Sequence, residues 1–111
     1  MKLEQIVRAL NLKVRCCESN LSNEVKGGYV GDLLSDVMGN SREGDIWITR
    51  QIHQNIVAVA GLKEHAAIII VQNAAAMGET VDKAISEGIP ILESDATGFE
   101  TAGKLYKLLY S

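Results

Sequence analysis

The sequence has little of what usually announces a chemistry. Its only two cysteines, Cys16 and Cys17, are adjacent, which excludes a staple, a four-cysteine zinc site and a redox Cys-x-x-Cys. It has two histidines, His53 and His65, and no set of His, Cys, Asp and Glu at metal-ligand spacing. The single proline, Pro90, leaves no Pro-rich linker, and no low-complexity segment divides the chain. Aromatics are 5% of residues. The longest unbroken apolar run, Ala66 to Val71, is far too short to span a bilayer. Lys2 and Glu4 interrupt the first residues with no apolar stretch behind them, so no signal peptide is expected. The 11 Lys and Arg are scattered against 14 Asp and Glu, for a net charge of −3. Nucleic-acid binding usually needs clustered basic residues, so neither nucleic acid nor membrane is an expected partner. Gly27-Gly28-x-x-Gly31 lacks both G-x-G-x-x-G and G-K-[ST], so dinucleotide and P-loop chemistry find no support.

What remains is an ordinary globular composition. The chain has 111 residues, 47% hydrophobic and 23% charged, which suits one domain over 1–111 with a real core. Unpaired adjacent thiols and the lack of a leader suggest a reducing, cytoplasmic setting. The two cysteines read as strand residues, one facing in and one out; a thiol sensor is the alternative.

Hydrophobic spacing sets the element order. Leu3, Ile6, Val7 and Leu10 make one helical face, and Leu12 to Cys17 reads as a strand. Tyr29-Val30 is a strand fragment, and Asp32 reads as N-cap or first-turn acid of a helix closed by left-handed Gly39-Asn40. Asp45 to Thr49 is a strand, and Asn55 to Leu62 a buried helix rather than a second strand. Ala66 to Val71 is apolar throughout, as in a parallel strand covered on both faces. Glu79 to Glu87 is a helix with Val81, Ala84 and Ile85 inward, stopped by Gly88. Ile89 to Leu92 is a strand, placed near an edge by its proline. Thr97 and Glu100 form a capping box for a last helix whose inner face is Phe99, Ala102, Leu105, Tyr106 and Leu109. Alternating strands and helices predict an α/β fold, a mostly parallel sheet of about five strands flanked by helices.

In such sheets ligands bind beyond the carboxyl ends of the strands. The loops expected there are 49–55, 72–78 and 93–97, with 27–32 as a fourth. A helix N-terminus attracts anions unless a carboxylate already fills it. Only the helix beginning near Asn55 lacks a nearby acid, and Arg50 and His53 precede it. Thr49, Arg50, His53 and Asn55 are therefore the first candidates for a small anion or nucleotide. On the other reading, Asn55 is an N-cap, His53 a loop residue and Arg50 a solvated strand end. Gln72 and Asn73 follow the most buried strand and either contact the ligand or close the turn. His65 sits near a helix end where a cation is favoured, and reads as structural. His53 with Asp95 is the one acid–base pair the loops could form. No cofactor, metal or catalytic residue is expected.

Five blocks together resemble a family. Tyr29–Met38, Gly44–Thr49, Asn55–Ala60, Ala67–Ile70 and Gly88–Leu92, in this order and spacing, resemble a stand-alone DRTGG domain from about Met1 to Leu109. The resemblance implies a small α/β module with a fold similar to the N-terminal domain of HPr kinase/phosphorylase, the part that does not carry that enzyme's chemistry. Such modules accompany CBS domain pairs or phosphotransacetylases, or stand alone, some encoded near hydrogenase genes. The resemblance further implies a regulatory, non-catalytic role and a homodimer. The sequence departs from the motif that names the family. Gln72-Asn73-Ala74 stands where Thr-Gly-Gly is expected, and only Arg50 answers the Asp-Arg portion. No site residue is carried over from the family. The leading expectation is a regulatory or ligand-sensing module. One alternative is an interaction module docking on a redox enzyme or kinase without a ligand, which predicts an exposed apolar patch around Leu108, Tyr110 and the 32–39 helix. The other is a small enzyme using His53.

Overall fold

The structure, a computed structural model, describes residues 1–111. The elements are α1 (Leu3–Ala9), β1 (Lys13–Cys16), a 3-10 turn (Glu18–Asn20), β2 (Gly27–Val30), α2 (Leu34–Asn40), β3 (Asp45–Thr49), α3 (Asn55–Lys63), β4 (Ala67–Ile70), α4 (Gly78–Glu87), β5 (Ile91–Glu93) and α5 (Gly98–Tyr110). They form an α/β fold around one five-stranded sheet in the order β1-β5-β4-β3-β2. Strands β2 to β5 run parallel, and β1 is antiparallel on β5.

Neighbouring parallel strands follow each other in sequence, so right-handed crossovers put α2, α3 and α4 on one face. Helices α1 and α5 cover the other. The strand residues sort by alternation. Trp47, Ile68, Ile70 and Ile91 pack against Val37, Ile56, Val57, Ala60 and Ala84. Ile46, Ile48, Ile69 and Leu92 pack against Leu3, Ile6 and Leu105. Burial on both faces explains the unbroken apolar run of β4, where Ile68, Ile69 and Ile70 are fully buried. Each contributes about 1.5–3 kcal/mol by leaving water.

The glycine pair of β2 has a packing cause. Helix α5 crosses the sheet close to it, and a Cβ at Gly28 would stand 3.0 Å from Leu105 Cδ2. At Gly88, φ is +72°, the left-handed C-terminal residue expected for α4.

Several expectations need correction. Asp32 does not cap α2: the helix begins at Leu34 after an extended Leu33 that makes no side-chain cap. Gly39 and Asn40 lie inside α2, and the chain leaves through an extended Ser41 rather than a left-handed turn. β5 is interior, between β1 and β4, because Pro90 stands just before it and contributes only its carbonyl, which accepts from Ile68 N–H. Ile85 is exposed; α4 buries Ala84, as expected, and Thr80. Phe99 and Tyr106 are exposed too; the buried stripe of α5 is Thr101 and Leu105. Cys17 is outside β1 with φ +66°, and this left-handed turn swings its sulfur to within 3.5 Å of Cys16 Sγ, so the thiols do not face opposite ways.

His65 is structural, as expected, but through core packing rather than as a cation at a helix end. It is buried edge-on to Trp47, ring centroids 5.8 Å apart. Ser41 Oγ donates to Val37 O at 2.6 Å, so it accepts from His65 Nε2–H at 2.8 Å. That fixes the tautomer and leaves Nδ1 a buried lone pair with no donor. Protonating it would bury an unpaired N–H, and burial holds the imidazole pKa below its usual value.

Candidate functional site

The register brings three strand ends level. Val30 pairs with Ile48, and Thr49 with Ile70. The residues just beyond β2, β3 and β4 therefore emerge side by side. Helix α5 starts on the same edge, because β5 also runs parallel to them.

Asp32 knots the first two loops. One carboxylate oxygen accepts from Thr49 Oγ at 2.7 Å and from Arg50 N–H at 2.8 Å. The Asp32 carbonyl accepts from Gln51 Nε2 at 3.0 Å. Trp47 Nε1–H donates to Gly31 O at 2.8 Å, so the only tryptophan is tied to the residue beside the knot. Thr49 is buried, whereas Arg50 is exposed and takes part in none of the four ion pairs of the chain.

The turn after β4 forms the next wall. Gln72 and Asn73 both have left-handed backbones, φ +60° and +58°. Their N–H groups donate to Ala96 O at 2.8 Å and Ser94 O at 3.0 Å, which holds the turn against the β5–α5 loop. Glycine takes this conformation without cost, but for other residues it is strained, Asn tolerating it best. The DRTGG resemblance expects glycines at 73 and 74, so of the two left-handed residues only Asn73 stands where a glycine is expected.

Between these walls and the start of α5 lies a cleft of about 360 Å³. Val30, Ile48 and Val71 form its apolar floor. Asp32, Thr49, Arg50 and Gln72 line one side, and Thr97, Gly98 and Phe99 the other. Phe99 stands almost free, 90% exposed. The capping box is complete: Thr97 Oγ accepts from Glu100 N–H, and Glu100 Oε1 accepts from Thr97 N–H. That backbone N–H, with the Thr97 hydroxyl, holds the Glu100 carboxyl below its usual pKa. The N–H groups of Gly98 and Phe99 have no intrahelical acceptor, and the Glu100 carboxylate already sits at this helix start.

Of the residues singled out from the sequence, the structure brings Thr49, Arg50 and Gln72 into one cleft. His53 lines a separate shallow depression of about 320 Å³, which shares Asp32 and Arg50 with the cleft. Asn55 is the first residue of α3, exposed and in neither hollow; Gln54 is the helix N-cap and makes no side-chain bond. Asn73 is exposed, does not line the cleft, and closes the turn through its N–H to Ser94 O. The first turn of α3 does lack an acid. Asp32 and Phe99 were missed. Aligning β2 with β3 by length would have put Asp32 level with Arg50. A helical wheel would have put Phe99 with Tyr106 and Tyr110, at i, i+7 and i+11, about 100° or more from Leu105. No three His, Cys, Asp or Glu side chains group as a metal set. No helix is long and apolar enough to cross a membrane.

An α/β sheet of this topology, with a cleft at its carboxyl edge, defines a fold class rather than one chemistry. No family model matches the sequence, and no curated protein matches it. Among solved structures the chain is similar to the CBS and DRTGG domains of the regulatory region of Clostridium perfringens pyrophosphatase, complexed with its activator diadenosine tetraphosphate. The TM-score is 0.74 at 17% identity, over 94% of this chain and 45% of that one. The fold is DRTGG-like, and the chain spans under half of that regulatory region.

Proposed function

We propose that residues 1–111 form a single, non-catalytic regulatory module that senses a nucleotide or related phosphorylated molecule in the cleft at the carboxyl edge. The observation that carries this is Arg50, exposed and in no ion pair, lining one cleft with the apolar Val30, Ile48 and Val71 and the exposed Phe99. Arg is suited to phosphate, and it is not neutralised here by a carboxylate partner. The exposed Phe99 ring supplies a face for a base, and the Gln72 amide a donor and acceptor for its edge. Support from outside the chain is the likeness to a regulatory region whose activator is a dinucleotide.

Thermal unfolding followed at Trp47, with ATP, AMP, diadenosine tetraphosphate and inorganic phosphate in turn, tests this. A ligand at 100 times its Kd stabilises by about 2.7 kcal/mol, a shift of roughly 10 °C. Arg50→Ala should abolish that shift. Equal shifts in wild type and Arg50→Ala would refute the site.

A second reading, docking on another protein or on a second copy, has its own observation. Of one Phe, three Tyr and one Trp, three rings form a single exposed stripe on α5: Phe99, Tyr106 (68% exposed) and Tyr110 (61% exposed). Val30 continues it onto β2, an unpaired sheet edge. Exposed aromatics beside an open edge favour association, and a homodimer through this face follows. Sedimentation giving a 12.0 kDa particle at high concentration would remove the dimer. Its survival with Tyr106→Glu would move the interface elsewhere.

A further inference from the structure

The adjacent thiols lie at the sheet edge opposite the cleft, where Cys16 pairs with the first residue of β5 and Cys17 meets α4. Consecutive strand side chains point to opposite faces. Here the left-handed Cys17 breaks that alternation, and the two sulfurs meet at 3.5 Å. Both cysteines are free; Cys16 is buried and Cys17 half-buried. Cys17 Sγ also faces the carbonyl of Ala84 at 3.5 Å, and Cys16 Sγ that of Ile89 at 3.6 Å.

A disulfide is a poor fate for this pair. It would need sulfurs about 2.05 Å apart on Cα atoms only about 3.8 Å apart, below the usual range for a bridge. A bent chelate fits better. Two bonds of about 2.3 Å, typical of a thiolate on a closed-shell metal, hold sulfurs roughly 3.3–3.8 Å apart at angles between a right angle and tetrahedral. A centre with sulfurs on opposite sides would spread them to about 4.6 Å at the same bond length. No third His, Cys, Asp or Glu completes a tetrahedral set. The ligand must therefore be satisfied by two sulfurs and bring its own remaining substituent. The carbonyls of Ala84 and Ile89 and the nearby Glu18 surround the pair with negative potential. Burial, the hydrogen bond with Cys16 and the charges of Cys16 and Glu18 push the Cys17 thiol up to about 12.

We propose that Cys16 and Cys17 form a dithiol site for a trivalent thiophilic metalloid of the organoarsenical type. With phenylarsine oxide two S–As bonds form, the As–O bond breaks, and the oxygen leaves as water with the two thiol protons. No electron is transferred. Cys17 meets the reagent first, and Cys16 behind it closes the ring.

The test is intact-mass analysis of the native chain with phenylarsine oxide in excess mercaptoethanol. The expected result is one adduct per chain, heavier by the reagent less one water, removed by dimercaptopropanol. Cys17→Ser should retain no adduct in the monothiol. It replaces a half-buried residue, and a circular-dichroism melt shows whether the variant folds. Cys16→Ser should behave alike. No adduct on the folded chain, when the urea-unfolded chain takes one, would overturn the proposal. So would an adduct that either single-cysteine variant keeps.

Discussion

Gln72→Gly should stabilise this protein, although Gln72 is exposed and the change deletes a side chain. The residue holds φ +60° on a non-glycine backbone. A left-handed conformation costs an L-residue about 1–2 kcal/mol. Glycine removes that cost but adds about 0.5–1 kcal/mol of backbone entropy to the unfolded chain. The bond from residue 72 N–H to Ala96 O is main-chain and survives. The balance is a gain of about 0.5–1 kcal/mol, or roughly 3–6 °C in Tm. Urea unfolding followed at Trp47 should show a higher midpoint at unchanged slope. Gln72→Val, β-branched, should lose more than 1 kcal/mol at the same position. Midpoints unchanged in both variants would mean that the turn after β4 is not left-handed, and the cleft wall would then be wrongly built.

Gly28→Val should cost about 2 kcal/mol, because its side chain meets Leu105 where α5 crosses β2; chemical denaturation measures it. Thr97→Ala should cost about 1 kcal/mol by removing the α5 cap, again read from the urea midpoint. His65 has a folded pKa below the unfolded value of about 6.5, so it takes up a proton more readily when unfolded. Stability is then full above about pH 6.5 and falls as pH drops toward the folded pKa. His65→Phe should flatten that limb while losing the bond to Ser41, about 1 kcal/mol, at pH 8. A pH series of melts on both proteins separates the two effects.

The parts of the fold legible in the sequence were those where one local rule acts alone. The β4 run is apolar because both its faces are covered, and that reads directly. Thr97 and Glu100 satisfy each other, so the start of α5 needs no tertiary information. Asp32 was misread because an acid before an apolar run has two uses, and the choice depends on a partner 17 residues away at Thr49. Phe99 and Tyr106 were misread because apolar character does not say whether a side chain faces the core or stays exposed. The edge assignment of β5 failed because β1 reaches it from the other end of the chain, a long-range pairing with no local mark. Cys17 left its strand through a backbone angle that nothing in Cys-Cys-Glu demands. For the cleft, Thr49, Arg50 and Gln72 were reachable from the rule of strand carboxyl ends. Asn73, reached by the same rule, and His53 and Asn55, reached from the acid-free start of α3, fall outside, because these rules name an edge and not a pocket.

The most direct test of a nucleotide-sensing cleft is an amide NMR titration of the 15N-labelled chain with diadenosine tetraphosphate, and then with ATP. Binding at the proposed site should shift the amides of Asp32, Arg50, Gln72, Gly98 and Phe99 together, with the Trp47 indole N–H following through Gly31. Shifts confined to other surfaces, or none at millimolar ligand, would contradict nucleotide sensing at this edge and leave the aromatic stripe of α5 as the functional face.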